Sequence, residues 1–477
     1  MGAGYDSYDN GGIEILMIRD LSFLIPEITV SLAMVFMLVA EMTRLPRVAL
    51  SIGLVGLVLA TGAAVPLLEV DTTVFSGTYR IDMLSTWAKL ILLPGTAISL
   101  LLVRAELAGQ DREGSVYALV CLVTLGALML AGGGDMMLLV LGVVLTGLGS
   151  FALVAFPRNR AATDVATEAG IKFLVFGAVT GSVMIYGLSF WFGGAGSTLY
   201  SDLVNLQGGP LVMMAGLVAV LIGLGYKAGL VPFHFWAPDA YDGAPVSIAA
   251  YLSVITKIAA IFAFAQVFRD LPVTSGWPLI IALISALTMT YGYLAALVQT
   301  SMVRLLAYSS VAQSGYFLMG LVAVGSNSLN LTSLIIFGAA YIAMNLGAFA
   351  LIIVVGRQIE DFRGLGRSAP VIGGAMVVFM LSLAGIPPLF GFAGKILLFG
   401  AAISAGFTWL AVIGILNSVL ALAVYLRVIV PMYQPVPDQK TVFEGALRPA
   451  STLVWTSMAL VSLVMGVAVQ VLLGKIL

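Results

Sequence analysis

Long apolar runs separated by short polar segments form the dominant pattern along the chain. A transmembrane helix needs roughly 20 apolar residues to cross the hydrocarbon core of a bilayer. By this criterion the sequence predicts fourteen spans, near residues 21–42, 48–69, 82–104, 115–133, 136–157, 168–193, 210–231, 244–268, 277–299, 303–325, 329–356, 370–402, 407–432 and 451–474. The connecting segments are mostly short, so we expect an all-α polytopic membrane protein without a separate soluble domain.

The composition agrees with this pattern. Of the 477 residues, 61% are hydrophobic and only 9% are charged, whereas an ordinary soluble domain has about 25% charged residues. So few charges argue against soluble enzymes and nucleic-acid-binding proteins, and the formal net charge of −1 implies no polyanionic partner. The single cysteine, Cys121, and the single histidine, His234, argue against a disulfide and against a metal site built from several such residues.

Basic residues at the predicted loops and span ends are divided unevenly between the two sides. One side carries Arg44, Arg47, Arg104, Arg112, Arg158, Arg160, Arg304, Arg357, Arg363, Arg367, Arg427, Lys440 and Arg448, and the other carries Arg19, Arg80, Arg269 and Lys475. Positive charge is enriched on the cytoplasmic side of membrane proteins. We therefore expect both termini on the outer side, with a polar N-terminal segment, residues 1–20, that lacks the features of a signal peptide.

Two of the predicted spans contain residues that interrupt helices. Residues 223–245 read GLGYKAGLVPFHFWAPDAYDGAP, in which Pro232 and Pro238 lack a backbone donor and Gly229 weakens the helix before them. Residues 383–399 read LAGIPPLFGFAGKILLF, with Pro387 and Pro388 near the middle of a segment too long for one crossing. Paired broken helices point to the working site of a transporter, although prolines that only kink packed helices would give the same pattern.

Three lysines lie deep in the predicted spans. Lys257 lies near the middle of span 244–268, and Lys227 and Lys395 adjoin the two breaks. A charged side chain at the bilayer centre costs at least about 2.5 kcal/mol on insertion scales, and burial disfavours the charged form of a lysine. Such lysines can take up and release protons, so we predict that they form a proton relay in hydrated surroundings.

Other polar residues of the spans support less specific predictions. Lys172 follows Glu168 at the i,i+4 spacing of a local ion pair, whereas Lys89 either reaches the membrane surface or lies in the core. Glu27 has no obvious partner in the sequence and is expected at the surface. His234 follows the first break, where an imidazole either joins the relay, since it titrates near neutral pH, or caps the break.

Four segments of the chain, two of which contain the breaks, are distinctive. They are KAGLVPFHFWAPDAYDGAP (227–245), SVITKIAA (253–260), MVRLLAYSSVAQSGY (302–316) and AGIPPLFGFAGKILLF (384–399). Together, and in this order, they resemble the antiporter-like membrane subunits of respiratory complex I, which are related to multisubunit sodium/proton antiporters and membrane-bound hydrogenases. Within this family the chain is most similar to subunit N (subunit 2), because Tyr241 stands where other members usually carry a second histidine. The segment LIPEITVSL (24–32) also resembles the N-terminal signature of subunit N.

The resemblance implies a fold and a set of residue roles. The fold would comprise spans one to three with the start of the first repeat (21–133), a first inverted five-helix repeat (115–268), a second (277–432) and a final helix (451–474), with spans seven and twelve broken. Lys227 would match the pumping lysine of span seven, Lys257 the connecting lysine of span eight, and Lys395 the terminal lysine of span twelve. His234 would match the histidine after the first break.

The function that the resemblance implies is proton translocation in a complex I-type NADH:quinone oxidoreductase. Flavin, iron–sulfur clusters and quinone would be bound by partner subunits and no cofactor by this chain, whose single cysteine cannot ligate a cluster. The partners would be other membrane-arm subunits, including further antiporter-like subunits, together with lipids and protons but no nucleic acid. We expect a bacterial plasma membrane, or else the inner membrane of an organelle.

One position departs from the family pattern. The family normally carries a glutamate in span five that pairs with the lysine of span seven, and aligning residues 135–153 on that pattern places Val144 there. Asp135 lies nine residues away, about 13 Å along a helix, and so does not substitute easily. Without its partner, Lys227 loses the attraction that would hold it charged. Either another carboxylate, for example from a neighbouring subunit, replaces the glutamate, or the module pumps differently or not at all.

Three alternatives to this interpretation stay open. The chain could belong to a multisubunit sodium/proton antiporter or a membrane-bound hydrogenase, with the same fold and another energy source. It could be a solitary secondary transporter that uses its lysines as counter-charges for an anionic substrate. It could also be a structural homologue that does not pump, which the valine at position 144 favours.

Overall fold

The structure, a computed structural model, describes residues 18–157, 162–325, 329–435 and 449–476. Outside them lie most of the N-terminal segment 1–20, the predicted loop residues Arg158, Arg160, Lys440 and Arg448, and the side chain of Lys475. The described residues fold into a bundle of helices, which confirms the predicted fold class.

Sixteen helices of the described residues are named here. They are α1 Ile25–Met42, α2 Pro46–Ala64, α3 Met83–Leu107, α4 Glu113–Gly132, α5 Met136–Val154, α6 Thr163–Ala195, α7 Gly209–Ala228, α8 Trp236–Gly243, α9 Val246–Phe268, α10 Trp277–Ala296, α11 Met302–Leu321, α12 Leu329–Val355, α13 Pro370–Ala384, α14 Phe390–Ser404, α15 Thr408–Met432 and α16 Pro449–Ile476. Short helical segments of three to six residues join some of them, at Val65–Glu69, Tyr200–Asn205, Val273–Ser275, Ile359–Phe362 and Leu365–Ser368.

Each predicted span overlaps at least one of these helices. Twelve helices of the described residues are long and apolar enough to cross a membrane, and the shorter pair α13 and α14 occupies the predicted span 370–402. Large apolar side chains lie exposed along the outer helices, for example Leu32 on α1 and Leu416 on α15, as expected for surfaces that face lipid. The chain is therefore a multi-pass integral membrane protein, while the total of fourteen crossings and the inverted repeats stay predictions.

A short hairpin between α2 and α3 is the one sheet in the described part of the chain. Strands β1 Thr72–Val74 and β2 Tyr79–Ile81 pair antiparallel, with Val74 opposite Tyr79. The turn between them needs positive φ angles, including +51° at Phe75. The sequence did not indicate this hairpin, because strands of three residues leave almost no periodic signal.

Both predicted helix breaks are present and have the same local geometry. α7 and α13 each end at a glycine in the left-handed region, Gly229 with φ +70° and Gly385 with φ +87°. The amide of the following residue, Leu230 or Ile386, donates to the carbonyl five residues earlier. This is the hydrogen-bond pattern of a Schellman cap. The prolines that follow prevent either helix from continuing.

Helix α9 lies at the centre of the bundle. All of its residues, Val246–Phe268, are buried, and Leu252–Thr256 form a π-helical turn within it. Its N-terminus is fixed by Glu106 of α3, which accepts hydrogen bonds from the amides of Val246 (3.0 Å) and Ser247 (2.7 Å). A carboxylate at this end of a helix satisfies free amides and complements the helix dipole.

Candidate functional site

The three lysines predicted from the sequence are all buried. Lys227 lies in the last turn of α7, Lys257 follows the π-helical turn of α9, and Lys395 lies near the start of α14. Their exposed fractions are 3%, 1% and 1%. Within the described part of the chain, none of them has a carboxylate oxygen within 4.0 Å of its Nζ atom.

Lys257 lies against the first helix break. Its Nζ atom donates a hydrogen bond of 2.7 Å to the Oγ atom of Ser310 on α11 and lies 5.9 Å from the centroid of the Tyr241 ring. A Cβ atom at position 229 would lie 3.1 Å from this Nζ atom. Gly229 therefore both permits the turn and leaves room for the lysine.

Lys395 lies against the second break in a corresponding way. Its Nζ atom donates to the carbonyl oxygen of Ala384, the last residue of α13, at 2.9 Å, and to Ser418 Oγ at 3.4 Å. The C-terminal carbonyls of a helix carry partial negative charge, which favours an ammonium group. The ammonium also lies 4.1 Å from the ring centroid of Tyr316, and a Cβ atom at Gly385 would come within 2.7 Å of the lysine Cδ atom.

Helix α11 joins the surroundings of these two lysines. Its Ser310 accepts from Lys257, and the hydroxyl of its Tyr316 lies 2.9 Å from Ser418, which accepts from Lys395. The same helix buries three further polar side chains, those of Ser309, Gln313 and Ser314. A row of hydroxyl and amide groups thus runs along α11 between the second and third lysines.

Lys227 has different surroundings. Its Nζ atom has no hydrogen-bond partner among the described residues, and it lies 5.7 Å from the centroid of the Phe151 ring. Val144 lines the same cavity as Lys227, which agrees with the alignment that puts it in place of the family's glutamate. Asp135 instead caps the start of α5 by accepting from the amide of Leu138 at 2.6 Å.

His234 lies in the break between α7 and α8 and is 2% exposed. Its ring packs against that of Tyr291 on α10, with 4.6 Å between the centroids. Its Nδ1 atom has no hydrogen-bond partner, and the imidazole makes no hydrogen bond to any of the three lysines within the described residues. The histidine is therefore placed at the break, and its membership of a relay stays a prediction.

One buried ion pair was missed by sequence reasoning. Lys89 Nζ lies 3.0 Å from Glu27 Oε1, which also accepts from the Tyr79 hydroxyl at 2.6 Å. The expected surface position of Glu27 is wrong, because the hairpin and α3 cover this carboxylate. The available signal was the presence of two opposite charges inside apolar spans, in the first and the third. The pair between Lys172 and Glu168 is confirmed, at 2.6 Å.

Sequence comparison relates the chain to a group of known proteins. Residues 133–421 match the family described as "NADH:quinone oxidoreductase/Mrp antiporter, TM". NADH-quinone oxidoreductase subunit N of Rhodospirillum rubrum is 36% identical over 433 residues, which cover 86% of this chain and 86% of that protein. NADH-quinone oxidoreductase subunit N 1 of Streptomyces griseus is 35% identical over 472 residues, which cover 96% and 98% of the two chains.

Structural comparison agrees with these relationships. A chain of respiratory complex I from Thermus thermophilus superposes with a TM-score of 0.80 at 29% identity and covers 93% of this chain and 97% of its own length. A chain of the Mrp complex from Dietzia sp. superposes with a TM-score of 0.82 at 22% identity, over 96% of both chains, and so shares the fold. The resemblance drawn from the four sequence segments is confirmed.

Proposed function

The chain belongs to the NADH:quinone oxidoreductase/Mrp antiporter transmembrane family, and from this premise we propose that it is a proton-translocating membrane-arm subunit of a complex I-type NADH:quinone oxidoreductase. Relatives named as subunit N of that enzyme match it over most of their length. Redox chemistry would take place on flavin, iron–sulfur and quinone groups of partner subunits. Other membrane-arm subunits, some of them antiporter-like, would be its neighbours in a bacterial plasma membrane, with both termini on the outer side.

The observation that carries this proposal is the burial of three lysines without carboxylate partners among the described residues. Hydroxyl and carbonyl oxygens accept hydrogen bonds from Lys257 and Lys395 but do not neutralise their charge. Burial without a counter-charge reduces the preference of a lysine for its charged form, and a nearby charge shifts the balance further, since charges interact strongly in a medium of low dielectric constant. A proton that arrives at one lysine then favours release from the next.

We infer the order of the relay from the helices that hold the three lysines. A proton would move from Lys227 to Lys257 across the first break, and then along the polar side of α11 to Lys395. Water would fill the gaps between side chains. His234, buried at the first break, would hold or pass a proton there.

Alanine substitution of two lysines tests the relay. In the assembled complex, Lys257→Ala and Lys395→Ala should each lower the number of protons translocated per electron, measured in closed vesicles. Lys172→Ala is the matched control, because this lysine is half exposed and pairs with Glu168 on the surface. Normal proton translocation in both buried-lysine variants would contradict the proposal.

A second candidate function is that of a structural subunit that does not pump. The lack of a partner for Lys227 among the described residues favours it. In that case Lys227→Ala, like the other two lysine variants, would leave the ratio of protons to electrons unchanged while the complex still assembles. A reduced ratio in any of the three variants excludes this candidate.

A further inference from the structure

Lys227 is buried in surroundings that do not compensate its charge. The Phe151 ring lies 5.7 Å from its Nζ atom, and a Cβ atom at Gly147 would lie 3.5 Å from it. No described residue offers the ammonium group a hydrogen-bond acceptor. A buried ammonium without an acceptor or a counter-charge is strongly disfavoured, so a group from outside the described residues is needed whenever Lys227 is charged.

A cavity beside Lys227 has room for such a group. Its volume is about 260 Å³, and it lies between α5, α6 and α7. Water takes about 30 Å³ per molecule in the liquid, so the cavity can hold the end of a side chain together with several waters. Among its lining residues, Leu148, Leu174 and Ile185 are 59%, 43% and 48% exposed, and the cavity therefore opens to the outside of the bundle.

The depth of the cavity restricts what can enter it. Val144, which lines it, lies eight residues from the start of α5 and ten from its end. At roughly 1.5 Å per residue, these are distances of about 12 Å and 15 Å along the helix axis. The headgroups of lipids lie at the membrane surfaces, whereas a neighbouring transmembrane helix passes this depth.

We propose that the cavity receives an aspartate or glutamate side chain from a transmembrane helix of a neighbouring subunit, and that this carboxylate pairs with Lys227. Charge complementarity favours this occupant over an apolar one, because Lys227 lines the cavity. The carboxylate would take the place that a glutamate at position 144 would otherwise fill. This inference rests on the proposed role of the chain in a multisubunit membrane arm.

Site-specific crosslinking in the assembled complex tests the inference without a transport measurement. A photoreactive phenylalanine analogue in place of Leu148 would report what covers the cavity. The control carries the analogue in place of Leu287 on α10, which is 54% exposed. We expect the first position to crosslink to a membrane-spanning peptide of another subunit that has an aspartate or glutamate within one helical turn of the crosslink. Adducts with lipid alone, or with a peptide that lacks a carboxylate, would overturn it.

A charge-rescue experiment provides a second test of the proposed pairing. Changing the crosslinked partner's carboxylate to its amide should lower proton translocation per electron to the level of Lys227→Ala. Adding Val144→Glu should restore it, whereas Val144→Gln, of the same size but uncharged, should not. No effect of the amide, or equal rescue by both substitutions, would overturn the inference. The expected crosslink in a complex that translocates no protons through this chain would instead contradict the proposed function alone.

Discussion

At the scale of single residues, the three lysines of the proposed relay differ in the hydrogen-bond acceptors around them. Lys257 donates to a serine hydroxyl and Lys395 to a helix-end carbonyl, while Lys227 has no acceptor among the described residues. Each of the first two also lies against a break glycine, Gly229 or Gly385. The glycine in each break thus has two functions, since it adopts the left-handed turn and leaves space for an ammonium-bearing side chain.

Substitution of Gly385 can separate these two functions. Gly385→Ala would place a Cβ atom 2.7 Å from Lys395 Cδ, whereas Gly406→Ala, at nearly the same φ of +85°, would meet no atom within 4 Å. Both variants should lose about 1–2 kcal/mol of unfolding free energy from the left-handed conformation. Only Gly385→Ala should also lower proton translocation per electron. Thermal unfolding and vesicle assays on the two variants would check this, and equal translocation in both would contradict it.

The sequence reveals the lysines but not their partners. A charge inside an apolar run is visible in the sequence and costly in a membrane, so Lys227, Lys257 and Lys395 could be identified directly. The partner of Lys89 could not, because Glu27 reaches it from a different span and the contact depends on how α1 and α3 pack. The cavity that joins Val144 to Lys227 likewise exists only in the folded chain.

At the scale of helices, the position of Lys257 depends on how α9 is held. The lysine directly follows a π-helical turn, a feature that often occurs at functional sites. The start of the same helix is bound by the carboxylate of Glu106 from α3. Hydrogen bonds of this kind between two helices fix the position of α9 within the bundle.

Removal of this capping carboxylate should loosen α9. Glu106→Ala deletes the acceptor for two backbone amides and the Ser247 hydroxyl, which should lower the free energy of unfolding by about 1–3 kcal/mol. Hydrogen exchange should become faster in the first turn of α9. Glu69→Ala is the control, because Glu69 is exposed. Unchanged exchange in the Glu106 variant would show that the cap does not hold the helix.

Some of these elements could be predicted from local sequence and others could not. The breaks follow from a glycine with a proline three residues later, at 229 and 232 and again at 385 and 388, because each residue acts through its own backbone. The hairpin and the π-helical turn have no comparable local signal. Both depend on contacts with neighbouring helices.

At the scale of the whole molecule, a buried ion pair connects α1 to α3 and to the β-hairpin. The Glu27 carboxylate of α1 contacts Lys89 of α3 and the Tyr79 hydroxyl of the hairpin. Three separate elements therefore meet at one carboxylate. Both charges are out of water, so the loss of either one leaves the other uncompensated.

Single and double substitutions at this pair should differ in the size of their effect on stability. Glu27→Gln leaves Lys89 without its counter-charge and should cost about 3–5 kcal/mol of unfolding free energy. The double variant Glu27→Leu with Lys89→Met should recover part of that loss, because apolar side chains of similar volume replace the pair, while the Tyr79 hydroxyl loses its acceptor. Thermal unfolding of the three proteins would measure the effect. A double variant as unstable as the single one would contradict it.

The order of the helices could be predicted at this scale, but their packing could not. Apolar length alone identifies successive spans. A helix that is apolar on every side gives no periodic signal for the face it buries. The sequence therefore does not distinguish α9, which is entirely buried, from α6, much of which is exposed.

The open cavity beside Lys227 also has a consequence for the chain before it assembles with neighbouring subunits. A newly inserted chain would hold this lysine in its neutral form, since an unpaired charge in that position is unfavourable. The first step of the relay would then be absent until assembly supplies the carboxylate. A chain that has not yet assembled would conduct no protons, and it would therefore not dissipate the membrane potential during biogenesis.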